Sequence, residues 1–349
     1  MKASENATIT KARAIYGKRL KYSDYIELAS KKRVTEAAEF LKKNTHFAKA
    51  LSNIDTSAIH RGHLESVLNK AYFDMYEELC NFQKLGKQPF YNFLFIRSEL
   101  RELLKALLYL NNDRKDAYIE SVHPYMIKKS GIDLLALAKA ENFRQLLNVL
   151  KPTPYYNVLK KIKTDDDGNV PYTKCEVLLR KYYMKWLRDT ASETVDGDSK
   201  KALIDQINVH IDLINIINAY RMKKYFSADA ETLKKYMLPF YGRLSEKKQN
   251  ELFETQSAEE YIKMLMHTSY GRKAENISED MESETFEREF SKIRYKMAKR
   301  ALAFSENAAV SIYSLMYLFE VELKNIINII EGIRYNKSVS YIENLLITE

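Results

Sequence analysis

Residues 305–336 read SENAAVSIYSLMYLFEVELKNIINIIEGIRYN, and the way this stretch folds settles the class of the whole chain. Its NIINII core, Asn325 to Ile330, is rich in β-branched residues and alone would pass for a buried strand. Length decides otherwise. No proline interrupts Ser305 to Ile333 and no glycine precedes Gly332, and Ser305 is a fair N-cap. The stretch is predicted as one helix of about 29 residues, roughly 43 Å long at ~1.5 Å per residue. Its first half is apolar almost all round and so belongs between neighbouring elements. Glu320, Glu322, Asn325 and Asn328 then put polar atoms on a helix otherwise made of Ile and Leu. Either these face water, or Glu322 or Asn325 caps or pairs with a basic residue of another helix such as Arg294 or Arg300. Burial without a partner would cost several kcal/mol.

The frame inside this helix, an acid followed by Leu, any residue, Glu or Asn and two aliphatics, occurs three times. It appears as ELRELLKALLYLNN from Glu99, DLINIINAYRMKKY from Asp212 and ELKNIINIIEGIRYN from Glu322. A second anchor precedes each copy: EAAEFLKKNTHFAKAL (Glu36 to Leu51), FRQLLNVLKPTPYYNVL (Phe143 to Leu159) and EEYIKMLMHTSYGRKA (Glu259 to Ala274). Each is an amphipathic run ending in Thr, any residue and an aromatic: Thr45 and Phe47, Thr153 and Tyr155, Thr268 and Tyr270. Thr suits a helix break because its hydroxyl accepts from an orphan N–H of the next helix, and Pro154 after Thr153 suits a first helical position. Asn142 and Ser257 lie 11 residues before their Thr, and Ser257 with Glu260 forms a capping-box pattern. From Thr to acid the separations are 54, 59 and 54 residues, and Pro124 and Pro239 each precede their Thr by 29. The chain is thus predicted as all-α, in three similar helical units: 1–115, 116–228 and 229–349.

With 9 Gly and 6 Pro in 349 residues, and no two glycines within 20 positions of each other, the chain has no room for a Gly-rich phosphate loop, dinucleotide fingerprint or GxSxG elbow. The two cysteines, Cys80 and Cys175, have no CxxC partner, so neither a disulfide framework nor a thiolate zinc site is expected, and a reducing, intracellular setting fits. The N-terminus lacks the apolar core of a secretory signal, and the apolar run Ala308 to Phe319 is short of the ~20 residues that span a bilayer. The Asp165–Asp167 loop fails as a calcium loop, because Lys163 and Lys174 would fall at its first and twelfth positions. His60 and His63 have no third ligand and read as a surface pair. His46, His210 and His267 do not recur in all three copies, which suggests tolerance rather than function. No cofactor, metal or catalytic constellation is expected. The net charge of +9 is dispersed and broken by acidic runs, unlike a nucleic-acid surface, and reads first as a basic solvated exterior.

The C-terminal stretch FSENAAVSIYSLMYLFEVELKNIINIIEGIRYNKSVSYIENLLI resembles the closing helix and tail of the C subunit of the archaeal and bacterial A/V-type ATPases, the counterpart of the d subunit of the vacuolar ATPase. HIDLINIINAYRMKKYFSADAETLKKYMLPFYGRLSE is similar to that family's middle segment, and KARAIYGKRLKYSDYIELASKKRVTEAAEFLKKNTHF to its opening helices. The departures are Glu102, where the other copies have Asn215 and Asn325, and Tyr16 with Gly17 in place of a proline anchor.

The resemblance implies a funnel-shaped body with pseudo-threefold architecture and no chemistry of its own. It implies central-stalk subunits and membrane rotor-ring subunits as partners and a peripheral place on the cytoplasmic face of the membrane, the plasma membrane in a prokaryote. Neither a nucleic-acid partner nor a small-molecule substrate is implied. The anchors Thr45, Phe47, Glu99, Thr153, Tyr155, Asp212, Thr268, Tyr270 and Glu322 are then structural. Lys296, Lys299 and Arg300 are candidates to face acidic stalk residues or anionic lipid. A helical scaffold or adaptor using a concave surface for another protein or RNA is the alternative.

Overall fold

The stretch at 305–336 is helical from Ala308 to Arg334, starting later than its expected cap. Ser305 closes the preceding helix instead, its N–H bonding to the carbonyl of Ala301 at 2.8 Å. The cap is Asn307, whose Oδ1 accepts from Ala309 N at 2.9 Å and Val310 N at 3.2 Å. The Ser305 hydroxyl is one step back, accepting from Asn307 N at 3.1 Å.

A computed structural model describes residues 2–82, 85–112 and 115–348, and all regular structure among them is helical. The principal helices, in chain order, are α1 (Lys2–Gly17), α2 (Tyr22–Ala29), α3 (Val34–Asn44), α4 (Arg61–Asn81), α5 (Phe93–Asn111), α6 (Phe143–Leu150), α7 (Tyr172–Thr194), α8 (Gly197–Phe226), α9 (Ala258–Met266), α10 (Ser283–Phe304), α11 (Ala308–Arg334) and α12 (Val339–Glu343).

The amphipathic helices α3, α6 and α9 share one start. Glu36, Gln145 and Glu260 each accept a hydrogen bond from the backbone N–H four residues earlier: Lys32 at 3.0 Å, Glu141 at 2.8 Å and Gln256 at 2.6 Å. In α6 and α9 the expected caps also act, Asn142 accepting from Gln145 N at 3.0 Å and Ser257 from Glu260 N at 3.2 Å. Arg33 precedes α3 without a side-chain bond to its backbone N–H groups, so the reach-back side chain is the feature common to all three.

The chain divides into two compact units. One comprises residues 1–85, 195–230 and 241–349, the other 86–194 and 231–240. In the first, α1, α2, α4 and α10 pack against α11, and α10 also lies along α8. The apolar first half of α11 is buried as its sequence required, and so are the polar Glu322 and Asn325 further along. In the second unit α7 packs on α5, and the Tyr183 hydroxyl donates to the carbonyl of Phe93 at 3.2 Å. The Tyr72 hydroxyl of α4 donates in the same way to Met316 of α11 at 3.1 Å. Phe93 and Met316 occupy the same repeat position, six residues before Glu99 and Glu322 respectively.

Candidate functional site

The three threonines sit at helix breaks, where every hydroxyl bonds back to the helix that ends and two of them also serve the segment that follows. Thr45 Oγ1 donates to Leu41 O at 2.6 Å, Thr153 Oγ1 to Leu150 O at 2.7 Å and Thr268 Oγ1 to Leu265 O at 2.7 Å. Thr45 and Thr268 also accept forward, from Phe47 N and Tyr270 N, each at 3.2 Å. Thr153 makes no forward bond, and Pro154 after it fills the first helical position. Gly271 is required by its surroundings: a Cβ there would overlap the backbone of Leu265 and Met266.

From these breaks the aromatic side chains reach the acids. Tyr155 OH donates to Glu99 Oε2 at 2.5 Å, and Tyr270 OH donates to Asp212 Oδ2 at 2.6 Å. Each acid is buried and takes further bonds from a turn that carries a glycine. Glu99 Oε1 accepts from Gly131 N, and from Ser130 Oγ at 3.3 Å. Asp212 accepts from Gly242 N at 3.2 Å and Leu244 N at 3.1 Å. Gly242 is held so close to α8 that a Cβ would meet Asn208 Cβ at 2.7 Å and Asp212 Oδ2 at 2.8 Å. The tyrosines are fixed as donors: burial pushes both hydroxyls well above their ordinary titration range, and the facing carboxylate pushes them further. Burial also raises the Asp212 carboxyl, against the lowering effect of its bonds from Tyr270, Leu244 and Gly242.

The remaining copy is built differently. Glu322 Oε1 accepts from Leu20 N at 2.6 Å, three residues after Gly17, so the turn contact is kept. Phe47 has no hydroxyl, and the donor is its neighbour His46, whose Nε2 lies 2.9 Å from Glu322 Oε2. His46 therefore has a structural role that its failure to recur had hidden. Arg294 and Arg300 are not the partners of Glu322: Arg294 lies over the Tyr317 ring at 3.7 Å from its centroid. Asn325 does not face water either. It clasps the C-terminal segment at both ends of its amide, donating to Ile347 O at 2.8 Å and accepting from Ile347 N at 2.9 Å.

Each acid thus meets the Thr-x-aromatic segment that follows in the repeat order: Glu99 the second, Asp212 the third and Glu322 the first. One buried carboxylate, one turn and one ring-bearing donor recur three times. This geometry binds protein to protein within the chain and leaves no acid of the three free as a general acid or base.

A family model for the ATP synthase (C/AC39) subunit matches residues 8–345. The chain belongs to that family. It is 23% identical over 275 residues to the C subunit of the A-type ATP synthase of Thermococcus kodakarensis, covering 78% of this chain and 71% of that one. It is similarly 23% identical over 274 residues to the protein of the same name from a Desulfurococcus species, covering 78% and 70%. With that of Methanocaldococcus jannaschii it shares 25% identity over 219 residues, 62% of this chain and 54% of the relative.

Within this member of the C/AC39 family the other sequence candidates fall as follows. Glu102 is buried beside Lys105, 2.7 Å away one turn on, where Asn325 instead holds the chain end. Lys296 pairs with Glu275 at 2.7 Å on the surface, Lys299 is half-buried and Arg300 is exposed. His60 is the N-cap of α4, its Nδ1 accepting from His63 N at 3.3 Å, and both rings are exposed. Asp165 organises its own loop, accepting from Asp167 N at 3.1 Å and Asn169 N at 2.7 Å around Gly168, whose φ is +84°. Among the described residues no three His, Cys, Asp or Glu side chains gather as a metal site. No helix there is long and apolar enough to cross a membrane.

Proposed function

We propose that this chain is the non-catalytic coupling component of an A/V-type rotary ATPase, a socket on the cytoplasmic face of the membrane rotor ring that receives the central stalk. In that role it passes torque between the nucleotide-driven stalk and the ion-carrying ring and hydrolyses nothing. The observation that carries this reading is the match to the ATP synthase (C/AC39) subunit along residues 8–345.

The clasps supply what such a part needs mechanically. A torque element must resist bending, and each buried carboxylate ties a long helix to a turn and to a helix break distant in sequence. Among the described residues no proline lies inside a helix beyond its first turn, so the usual source of kinks is absent. The units 1–115, 116–228 and 229–349 are, on this proposal, copies of one element in a pseudo-threefold body. Lys296, Lys299 and Arg300 then lie toward acidic stalk residues or anionic lipid. The Lys296–Glu275 pair is no obstacle, because an exposed ion pair is screened by solvent and exchanges readily.

Copurification of the tagged chain with stalk and ring subunits from native membranes is the expected result. A monodisperse monomer that joins neither at low salt would overturn the proposal.

A further inference from the structure

An open groove of about 620 Å³ runs between α1 and α4, large enough for a ligand of substantial size. Its α1 wall consists of Lys11, Ala14, Ile15 and Lys18, the spacing of a single helix face. Its α4 wall repeats the pattern with Lys70, Ala71, Asp74, Met75 and Glu78. The floor is apolar and belongs to the third clasp, with Phe47, Tyr72, Phe319 and Leu323 buried beneath it. Alanines at 14, 50 and 71 keep the channel shallow-walled, so another backbone can approach closely.

The rim charges are unequal. Lys11 pairs with Glu78 at 2.9 Å and Lys70 with Asp74 at 2.5 Å, which uses both acids. Lys18 on one side and Lys49 on another are exposed and have no carboxylate within ion-pair distance among the described residues. Four lysines against two acids leave the rim net positive above an apolar floor, which calls for an occupant with an apolar stripe and flanking anions. From Lys11 to Lys18 the wall extends about 10 Å, the rise of roughly two helical turns. Charged side chains of both signs along the rim do not suit an acyl chain, which wants an apolar sheath.

We propose that this groove docks an amphipathic helix of a partner protein, its apolar stripe on Phe47, Met75 and Phe319 and its flanking carboxylates on Lys18 and Lys49. The inference stands on the groove alone and does not depend on which assembly the chain joins. It follows the helix-in-groove mode of recognition, with the rim charges selecting the partner's sign.

The test uses the full chain and two fluorescein-labelled stapled helices of identical apolar stripe, one flanked by Glu and one by Lys, read by fluorescence anisotropy. The Glu-flanked helix binds at least tenfold more tightly at low salt, and the gap narrows as salt is raised. Lys18→Glu combined with Lys49→Glu reverses the preference, which a merely structural role for these exposed lysines would not do. Ala71→Trp fills the groove and abolishes binding of both helices. Ala14→Trp, at an exposed position, does the same should the α4 variant fold poorly. Equal binding of the two helices, or none of either, refutes the proposal. So does displacement of the bound helix by equimolar palmitate, or a wild-type dimer that dissociates on Ala71→Trp, since these would assign the groove to an acyl chain or to a second copy.

Discussion

Removing the Asp212 carboxylate should destabilise the chain out of proportion to the atoms deleted, and in a manner coupled to Tyr270. Asp212 is fully buried and is the acceptor for Tyr270 OH, Gly242 N and Leu244 N. Asp212→Ala leaves Tyr270 OH and Leu244 N buried with no partner and takes its acceptor from the part-buried Gly242 N. A hydrogen bond to a charged group contributes about 1.5–3 kcal/mol, and burial already disfavours the ionised carboxyl, so the lower end applies. Two such losses in full, and a smaller one at the part-buried Gly242, give about 4 kcal/mol. Tyr270→Phe removes one of them and leaves the carboxylate two donors, at a cost of about 1.5 kcal/mol. In the double variant the tyrosine hydroxyl no longer needs an acceptor, so the effects fall short of additive by about 1.5 kcal/mol. Tyr261→Phe is the control, because its hydroxyl donates to a neutral carbonyl, that of Ile216 at 3.2 Å, and shares nothing with Asp212. Urea unfolding followed by circular dichroism measures the cycle, and hydrogen exchange at Gly242 and Leu244 reports whether the turn itself is released. Strict additivity, or an Asp212→Ala variant within about 0.5 kcal/mol of wild type, the usual range of a surface change, would show that the clasp contributes nothing.

Four further outcomes are expected. Gly242→Ala should destabilise by about 1–3 kcal/mol, because its Cβ has no room against Asn208 and Asp212, while Gly17→Ala, with open space around it, stays within about 0.5 kcal/mol; equal melting temperatures for the two variants would refute the close approach. His46→Leu should cost about 2–3 kcal/mol by leaving Glu322 buried with only the Leu20 N–H, whereas His63→Leu, at an exposed ring, is nearly silent in the same urea titration. Burial pushes the Cys80 thiol up to about 12 and the Cys175 thiol up to about 11, so neither reacts with a disulfide reagent at pH 8 until denaturant is added; immediate titration of two thiols in the native chain would contradict this. Because the Asp212 carboxyl is raised in the folded state above its ordinary 3.8, its contribution to stability is fully present below that value and is lost as pH rises through the folded value. The stability of wild type relative to Asp212→Asn therefore declines as pH is raised from about 4 toward neutrality, and a rising difference would invert the sign of the burial effect.

Helix content, the threefold repeat and the positions of the breaks were legible in the sequence because their causes are local. Apolar spacing, a Thr before an aromatic, and Asn142 or Ser257 at a cap act within one or two turns and need no knowledge of the rest of the chain. Even locally there was competition: Asn307 took the cap expected of Ser305, since its amide oxygen reaches two N–H groups at once. The recurrence of Glu99, Asp212 and Glu322 was also visible, and so was the need for a partner if Glu322 was buried.

Which partner each acid takes was decided only by tertiary packing. Glu99 and Tyr155 are 56 residues apart, Asp212 and Tyr270 are 58, and His46 and Glu322 are 276. No periodicity distinguishes these pairs from any other acid and donor, because a hydrogen bond across such distances depends on which helix faces are brought together. Packing likewise let His46 serve where Phe47 lacks a hydroxyl, and drew Asn325 away from water onto the backbone of Ile347. Sequence alone thus determined what the repeated parts are. Tertiary structure decided that each part is completed by the next, since a buried carboxylate accepts whichever donors the surrounding helices carry to within about 3 Å.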